Sequence, residues 1–400
     1  MSRHPLSGKN IVLGVAGSIA AYKAAELASR LVQVGAQVDT VMTREATAFV
    51  APLTFQALTH RPVIVDLFDP RSELAIDHVA VAKRADAILL APATAQLIAR
   101  LAAGMADDAV TATVLAAAAP VVICPAMETN MYRHPATQAN LARLKEWGAV
   151  VVEPASGRLA SGAEGIGRLA DPGTILGTLR WVLGRNGDLA GRRVVVSAGG
   201  TREAIDPVRY ITNRSSGKMG HALAAAARDR GAQVTLVTTV APDPETAAGV
   251  DVRRVESALD MLSAVQGAVQ SADALIMAAA VADFRPESAA AHKVKKGDAD
   301  AWTLRLVRNP DVLASVSGPF IKIGFAAETR DIRENALSKL KAKGLHMIVA
   351  NDVSEPGSGF ESDTNRVTIF HADGRVEELP LLPKLEVAHR VLDRLVELLG

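Results

Sequence analysis

Three short apolar segments in the first half of the chain recur, in the same order, in the second half. The pairs are LSGKNIVLGVAG (6–17) and LAGRRVVVSAGG (189–200), GAQVDTVMT (35–43) and GAQVTLVTT (231–239), and ADAILLAPA (85–93) and ADALIMAAA (272–280). Each is an apolar run after a turn signal, which is typical of a buried parallel strand. Alanine-rich stretches such as 19–33 and 219–230 predict helices between these strands. Alternating strands and helices indicate parallel sheets covered by helices, so we expect two doubly wound α/β domains.

A polar, glycine-rich segment, GRNGDLAG (184–191), separates the two copies. We therefore predict one domain at 1–183, a linker at 184–191 and a second domain at 192–400. In doubly wound sheets, ligands bind beside the carboxyl ends of the strands. The residues that follow the repeated strands are thus the first candidates for function.

The composition narrows the classes of partner. The 44 basic and 43 acidic residues nearly cancel, and aromatic residues make up only 4% of the chain. This balance argues against a surface for nucleic acid or anionic lipid. The single cysteine, Cys124, excludes an internal disulfide, and the N-terminus MSRHPLSGKN lacks the apolar core of a secretory signal. Both features favour a reducing, cytoplasmic setting.

One uncharged stretch, 109–127, approaches the length of a membrane span. Pro120 and Pro125 interrupt it. We predict a helix followed by a buried strand at this position.

In the first half, VLGVAGSIAAYK (12–23) runs from a strand through Gly17 and Ser18 into a helix. Free N–H groups at such a helix start favour a phosphate. Thr43 and Thr94 follow the second and third repeated strands, so we expect them in the same crevice. The G-x-G-x-x-G fingerprint of NAD-binding domains follows neither first strand, which disfavours a two-domain NAD(P) oxidoreductase.

Residues 8–180 resemble the flavin-dependent cysteine decarboxylases. The motifs that carry the resemblance are GSIAAYK, IDHVAVAKRADA, PATA with AAGMADD, and PAM with MY. The resemblance implies a flavodoxin-like fold and FMN bound between the subunits of a trimer. The FMN contacts that it implies are Gly17, Ser18, Thr43, Thr94 and Met127. It also implies that His78 removes the thiol proton of the substrate, although a lone histidine in what we read as an apolar strand is more often structural.

Three positions depart from that family's pattern. Glu128 stands where the family has the asparagine thought to hold the substrate carboxylate, and an ionised Glu128 would repel that group. Asn130 is a candidate substitute. Gln96 replaces a second asparagine, and Ser161, in GRLASGAEGIGRL (157–169), replaces a cysteine that supplies a proton. We expect this glycine-rich segment to cover the site as a lid, with Ser161 at most orienting water or substrate, because a hydroxyl is a far weaker acid than a thiol.

In the second half, Gly199 follows a strand and SSGKMG (215–220) opens a helix, which offers backbone N–H groups and Lys218 to phosphates. A Walker A motif would need glycine at position 212, where Thr212 stands, so we do not expect a P-loop NTPase. The run HKVKK (292–296) by itself fits a solvated charge cluster as well as a site.

Residues 189–375 resemble phosphopantothenate–cysteine ligase. The bacterial branch of that family uses CTP to activate the carboxylate as an acyl-cytidylate, which the amine of cysteine then attacks. The resemblance implies Asn213 and Lys293 as catalytic residues and Asp283 as a Mg²⁺ ligand. The implied CTP contacts are Gly199, Ser216, Gly217, Lys218, Met277, Ala278, Ala279, Asp283, Lys293, Asn309, Pro310, Asp311, Val312, Phe325, Lys339 and Lys343.

The two resemblances together predict a bifunctional enzyme of coenzyme A biosynthesis. Its second half makes 4'-phosphopantothenoylcysteine, and its first half decarboxylates that product to 4'-phosphopantetheine. The resemblance also implies an assembly in which trimers of the decarboxylase domain are joined through dimers of the ligase domain, giving a dodecamer. The departures at 96, 128 and 161 leave an alternative, which is a ligase with a degenerate flavin-binding scaffold.

Overall fold

The computed structural model describes residues 4–68, 77–295, 302–328, 331–352, 359 and 361–400. The chain divides into two compact units, Met1–Leu183 and Gly184–Gly400. Residues 184–191, which we expected to form a linker, fall in the second unit, and Leu189 is fully buried in its core.

The first unit alternates strands and helices. Its strands are β1 (Asn10–Val15), β2 (Gln37–Met42), β3 (Val63–Ile64), β4 (Ala87–Ala93), β5 (Val121–Pro125), β6 (Val150–Val151), β7 (Ala155–Arg158) and β8 (Glu164–Arg168). Its helices are α1 (Ala21–Gln33), α2 (Pro52–Thr59), α3 (Asp77–Arg84), α4 (Ala95–Ala102), α5 (Ala109–Ala116), α6 (Thr129–Arg133), α7 (Pro135–Glu146) and α8 (Pro172–Gly184), with a 3-10 turn at Arg44–Ala48.

The main sheet of this unit is parallel, with the order β3-β2-β1-β4-β5-β6. Without the short edge strand β3, the remaining order is that of flavodoxin. Helix α1 covers one face because Ala21, Ala24, Leu27, Ala28 and Leu31, spaced three and four residues apart, are all buried. The predicted doubly wound fold is confirmed.

The second unit repeats this arrangement and extends it. Its strands are β9 (Arg193–Ala198), β10 (Arg202–Ala204), β11 (Tyr210–Thr212), β12 (Gln233–Thr238), β13 (Asp251–Arg254), β14 (Ala274–Met277), β15 (Phe284–Pro286), β16 (Leu306–Arg308), β17 (Ile321–Glu328), β18 (Met347–Asp352), β19 (Thr364–Asn365), β20 (Val367–His371), β21 (Val376–Glu378) and β22 (Leu382–Pro383). Its helices are α9 (Lys218–Asp229), α10 (Pro244–Ala247), α11 (Ala258–Ala268), α12 (Ile332–Ala342) and α13 (Lys384–Leu399), with a 3-10 turn at Val269–Ser271.

The central sheet of the second unit has the order β13-β12-β9-β14-β17-β18-β20-β21. The strands from β13 to β18 are parallel, and β20 and β21 add antiparallel pairs at one edge. The three repeated segments form the adjacent strands β2-β1-β4 in one sheet and β12-β9-β14 in the other. The sequence repeat therefore corresponds to one three-strand frame that occurs twice.

One local prediction is wrong and one is confirmed. His78 lies near the start of helix α3 rather than in a strand. The segment 157–169, which we expected to cover the site as a lid, contributes to a β-hairpin, β7–β8. The stretch 109–127 forms helix α5 and the buried strand β5, as predicted. Across the part of the chain that the structure describes, no helix combines the length and the apolar character of a membrane span.

Candidate active sites

The first candidate site lies where four strands of the first sheet end. Backbone hydrogen bonds join these ends: Thr43 donates to Val15 at 3.0 Å and Ala126 donates to Ala93 at 3.0 Å. The segments that contain Gly17, Thr43, Thr94 and Met127 therefore meet at one edge of the sheet. This is the edge at which doubly wound folds bind ligands.

Both threonines at this edge cap the turns that follow them. The Thr43 hydroxyl accepts from the Ala46 amide at 3.3 Å, and the Thr94 hydroxyl accepts from the Leu97 amide at 3.2 Å. Gly17 packs tightly here, because a Cβ at this position would lie 2.5 Å from Cβ of Glu45. A larger residue would separate the two strand ends.

A cavity of about 390 Å³ opens beside this edge. The start of α1, the segment after β5 and the β7–β8 hairpin line it, and Ser18, Met127, Glu128 and Ser161 are among the lining residues. Gly17, Thr43, Thr94, Asn130 and His78 are not among them. The structure thus brings together only part of the predicted set around this cavity.

Three lining side chains that the sequence analysis missed give the cavity positive charge. They are Lys23, Arg158 and Arg168. The two arginines lie on opposite strands of the hairpin, Arg158 in β7 and Arg168 in β8. Arg158 pairs with Glu164 and Arg168 with Ala155, so strand pairing did not mark these two arginines in the sequence.

The hairpin packs closely against the segment after β5. The Met127 amide donates to the Gly167 carbonyl at 2.9 Å. A Cβ at Gly167 would lie 2.1 Å from the Met127 carbonyl oxygen, and one at Gly165 would lie 2.3 Å from the Thr129 hydroxyl. At Gly167 the missing side chain permits close approach of two backbones, and at Gly165 it permits contact with the Thr129 side chain.

The Glu128 carboxylate is used at the start of its own helix. It accepts from the Asn130 amide at 2.6 Å and so caps α6. Ser161 lies at the exposed tip of the hairpin, where the Leu159 amide donates to the Ala163 carbonyl at 2.8 Å. Glu128 and Ser161 both line the cavity beside this edge.

The chemistry of the donor set fits FMN in two respects. Helix α1 begins at Ala21 without a side-chain cap from its N-cap residue Ala20, and the positive end of its dipole favours a phosphate. Ile19 and Tyr22, on the same turn, are 59% and 61% exposed and can cover an apolar ring. His78 is only partly buried in α3.

The second candidate site consists of two adjoining cavities at the carboxyl ends of β9, β14 and β17. The first, here cavity 1, has a volume of about 330 Å³, and the second, cavity 2, about 610 Å³. Ala279, Ala280, Phe325 and Ala327 line both. Every predicted CTP contact except Gly199 and Lys293 lines one or both cavities, and so does Asn213.

Cavity 1 contains a helix start that suits an anion. Gly217, with φ +76°, precedes α9, whose first residue is Lys218. Gly220 lies so close to β9 that a Cβ would be 2.7 Å from the Ser197 carbonyl oxygen. Because the helix rests directly on the strand, its N-terminal amides face the cavity.

Lys218 is held by a chain segment more than a hundred residues away. Its Nζ donates to Asp363 at 2.6 Å and to the Glu361 carbonyl at 2.8 Å. This hydrogen bond and the charge of Lys218 lower the pKa of the Asp363 carboxyl. Lys218 thus fixes segment 361–365, of which Asn365 lines cavity 1.

Asn213 and Asn309 tie loops together around the two cavities. The Asn213 amide group donates to the Val281 carbonyl at 3.2 Å. The buried Asn309 side chain donates to the Ala282 carbonyl at 2.8 Å and accepts from Arg285 at 3.0 Å. Both asparagines therefore position the loop that follows β14.

In cavity 2, Asp311 pairs with Lys343 at 2.9 Å. Burial alone would raise the pKa of Asp311, but the hydrogen bond from Lys343 and backbone amides bring it below its usual range. Asp283 lines the same cavity. Among the described residues, no group of three or more His, Cys, Asp or Glu side chains forms a metal site. The oxygen donors of Asp283 and Asp311 fit Mg²⁺, which usually binds through one or two carboxylates and phosphate oxygens.

Lys293 is exposed and lines neither cavity. The next residue, Val294, is fixed by Asp206, whose carboxylate accepts from its amide at 3.1 Å. Asp206 also accepts from Arg209, and this hydrogen bond holds the pKa of Asp206 well below its usual range. The backbone next to Lys293 is thereby anchored to the β10–β11 hairpin.

The comparisons with known proteins agree with this division of sites. The Flavoprotein family model matches residues 1–183, and the model described as DNA/pantothenate metabolism flavoprotein C-terminal domain matches residues 189–399. The Coenzyme A biosynthesis bifunctional protein CoaBC of Vibrio parahaemolyticus is 48% identical over 98% of this chain and 99% of its own length. The protein of the same name from Bacillus subtilis is 46% identical over 98% of both chains.

The chain belongs to the CoaBC family. Membership makes it a bifunctional enzyme of coenzyme A biosynthesis with decarboxylase and ligase domains. A crystal structure of the C-terminal domain of a Coenzyme A biosynthesis bifunctional protein CoaBC also matches, with 42% identity, 53% of this chain and 98% of that chain covered, and a TM-score of 0.44.

The family resemblance overlooked one buried residue of the ligase site. Lys384 lines cavity 1 and is only 6% exposed. It is the first residue of α13, where the helix dipole disfavours a cation. A lysine at the first position of a helix, where the dipole disfavours it, is the one sequence signal that could have marked this residue.

Proposed function

We propose that the second domain joins 4'-phosphopantothenate to cysteine using CTP, and that the first domain decarboxylates the product to 4'-phosphopantetheine with FMN. The observation that carries this proposal is the gathering of the implied CTP contacts around two adjoining cavities. Full-length similarity to bifunctional relatives supports the pairing of the two reactions.

In the ligase reaction, a carboxylate oxygen of the pantothenate attacks the α-phosphorus of CTP. Pyrophosphate leaves and an acyl-cytidylate forms. The amine of cysteine then attacks the acyl carbon and CMP leaves. The start of α9, Lys218, Lys339 and Lys343 offset phosphate charge, and Asp283 would hold Mg²⁺, which would neutralise further phosphate charge.

Two residues act nearer the reacting carbon. Asn213, anchored to the loop after β14, orients the acyl-cytidylate for attack. Lys293 approaches the nucleotide from the anchored segment beside Asp206 and assists the first step. Removal of Mg²⁺ with a chelator is expected to abolish pyrophosphate release and to leave decarboxylation unchanged.

In the decarboxylase reaction, His78 takes the thiol proton of the cysteine moiety. FMN, when bound, supplies the two-electron acceptor and donor that this decarboxylation needs. Lys23, Arg158 and Arg168 attract the anionic substrate, and Ser161 orients water or the substrate. Because the implied FMN contacts are only partly shared with the cavity of one chain, we propose that a second subunit completes this site.

The full-length protein tests both halves. Pyrophosphate release is measured with CTP, ATP, UTP and GTP, and CO2 release is measured on synthetic 4'-phosphopantothenoylcysteine. We expect CTP to be preferred and a yellow, flavin-containing protein to release CO2. A flavin-free protein that makes phosphopantothenoylcysteine without consuming it would favour the ligase-only alternative.

Variants at Ser161 identify its role. We expect Ser161→Ala to complete turnover, because the proton comes from elsewhere. If Ser161→Ala stalls at the oxidised enethiol while Ser161→Cys does not, Ser161 is itself the proton donor and this assignment is wrong.

We also propose the assembly that the family implies, decarboxylase trimers joined by ligase dimers. Exposed apolar residues of the first domain, including Phe49 and Leu53, offer a surface for the trimer. Native mass spectrometry is expected to give twelve chains. A stable monomer that retains flavin would contradict this proposal.

A further inference from the structure

Lys384 is a buried cation without a carboxylate partner among the described residues. Its side chain is 6% exposed and borders cavity 1. Its Nζ donates to the Gly359 carbonyl at 2.8 Å and to the Ser362 carbonyl. An ammonium group has three N–H donors, so these two hydrogen bonds leave one unused in the described part of the chain.

The surroundings of Lys384 disfavour its positive charge. Burial lowers the pKa of Lys384, the nearby Lys218 lowers it further, and Asp363 acts in the opposite direction. The dipole at the start of α13 has the same unfavourable sign. A charge in such a place is stabilised when an anion binds beside it.

The lining of cavity 1 indicates where that anion would bind. Its basic side chains are Arg214, Lys218 and Lys384, and no Asp or Glu is among the described residues that line it. Cavity 2, by contrast, contains both lysines and carboxylates. Cavity 1 is therefore the cationic part of the ligase site.

Lys384 also shapes one wall of this cavity. Its amide donates to the Asp363 carbonyl at 3.0 Å, and the Asp363 carboxylate accepts from Lys218. The two lysines, each the first residue of a helix, thus hold the same segment from two sides.

We propose that Lys384 binds a phosphoryl oxygen in cavity 1 through its remaining N–H while its other two hydrogen bonds hold Gly359 and Ser362. This inference rests on the proposed ligase function. The phosphoryl group belongs either to CTP or to the 4'-phosphate of the second substrate, and the experiment separates these sources.

The test compares Lys384→Met, Lys384→Arg and the control Lys341→Met in the full-length protein. Lys341 is an exposed lysine of α12 that lines neither cavity, so its variant has the same change in net charge. For each protein, KM is measured for CTP, 4'-phosphopantothenate and cysteine, together with kcat. CO2 release by the other domain checks the integrity of the chain.

In Lys384→Met we expect one KM to rise at least about tenfold, the usual effect of losing one hydrogen bond to a charged group. A rise for CTP, with unchanged binding of CMP, assigns the nucleotide phosphates. A rise for 4'-phosphopantothenate, but not for pantothenate, assigns the substrate phosphate. In either case Lys384→Arg should restore most of the affinity, and KM for cysteine should stay unchanged.

The proposal is overturned if the KM values of Lys384→Met for CTP and for 4'-phosphopantothenate both lie within about twofold of wild type. A parallel rise of all three KM values that Lys384→Arg does not rescue also overturns it, because that result indicates a structural role. If Lys384→Met does not fold, Lys384→Arg decides: retained affinity supports the proposal, and a tenfold loss in a folded protein contradicts it. An inactive wild-type ligase would instead refute the proposed function.

Discussion

Replacing Gly167 by alanine should separate the two activities of the chain. Gly167 lies in β8, has φ +147° and faces the backbone of Met127. Its carbonyl accepts from the Met127 amide at 2.9 Å, so the hairpin and the segment after β5 form one unit at the decarboxylase cavity. The substitution introduces a single methyl group at this contact.

The structure gives the size of the disturbance. The new Cβ would lie 2.1 Å from the Met127 carbonyl oxygen, which is backbone and cannot rotate away as a side chain can. The two segments must part by about 1 Å, and a displacement of this size in a positioned site lowers the rate by about 100-fold. The positive φ adds strain of about 1–3 kcal/mol at this residue.

The assay measures CO2 release, bound flavin and CTP-dependent pyrophosphate release on the same preparation. We expect Gly167→Ala to lose about 99% of decarboxylation and to keep ligation. Gly148→Ala is the control, because Gly148 has φ +92° and open space around its would-be Cβ. Decarboxylation by Gly167→Ala at a rate within threefold of this control would refute the reasoning, since strain alone would then account for the effect.

Three further predictions concern charge and stability. Glu128→Asn should lower KM for phosphopantothenoylcysteine several-fold in steady-state assays, because a neutral amide can cap α6 without repelling the substrate carboxylate. An unchanged KM would mean that the Glu128 carboxylate does not face the substrate. Burial lowers the pKa of His221, so as the pH falls the unfolded chain takes up a proton at this residue before the folded chain does. The second domain should therefore lose stability as the pH falls through about 6.5. In thermal unfolding, the melting temperature of His221→Gln should depend less steeply on pH in this range. Arg228 is fully buried and donates to Asp229 at 2.7 Å, so Arg228→Met should destabilise the second domain by about 3–5 kcal/mol in denaturant unfolding, and a loss below 1 kcal/mol would contradict this.

The repeated segments explain why much of the fold was predictable. A buried parallel strand needs a continuous apolar run, and β1, β2, β4, β9, β12 and β14 all have one. Because such strands end at a common edge, the residues after them were found together without knowledge of other contacts. The gathering of Thr43 and Met127 follows from this rule alone.

The sequence analysis is least informative where the apolar period or the composition of a segment is typical of a different structure. In HVAVAK, alternating valine and alanine imitate the period of a strand, yet His78 belongs to α3, which packs against α5. The hairpin within 157–169 was not predicted, because a high glycine content is typical of loops. Here Gly165 and Gly167 instead allow the hairpin to approach the Thr129 side chain and the Met127 backbone. In both cases the structure depends on a segment distant in sequence, which the local sequence does not reveal.

Lys384 could not be placed by local sequence for a related reason. Its partners, Gly359 and Ser362, precede it by more than twenty residues, and cavity 1 is formed mainly by segments near 215 and 279. Only the unfavourable position of a cation at a helix start indicated that Lys384 could have the proposed role of binding an anion. A contradiction of a local rule was thus more informative than agreement with one.

The two halves show how one frame can serve two chemistries. In both, a helix begins after the first repeated strand and directs its amides to the ligand edge. In the first half this helix begins with Ala21, beside the exposed Ile19 and Tyr22, which suits a ligand with one phosphate and a large apolar ring. In the second half it begins with Lys218, which lines cavity 1 together with Lys384, and this suits a ligand with more phosphate charge. Under the proposed function, the frame therefore determines where a phosphate binds, and the side chains at the helix start determine how much negative charge that site can hold.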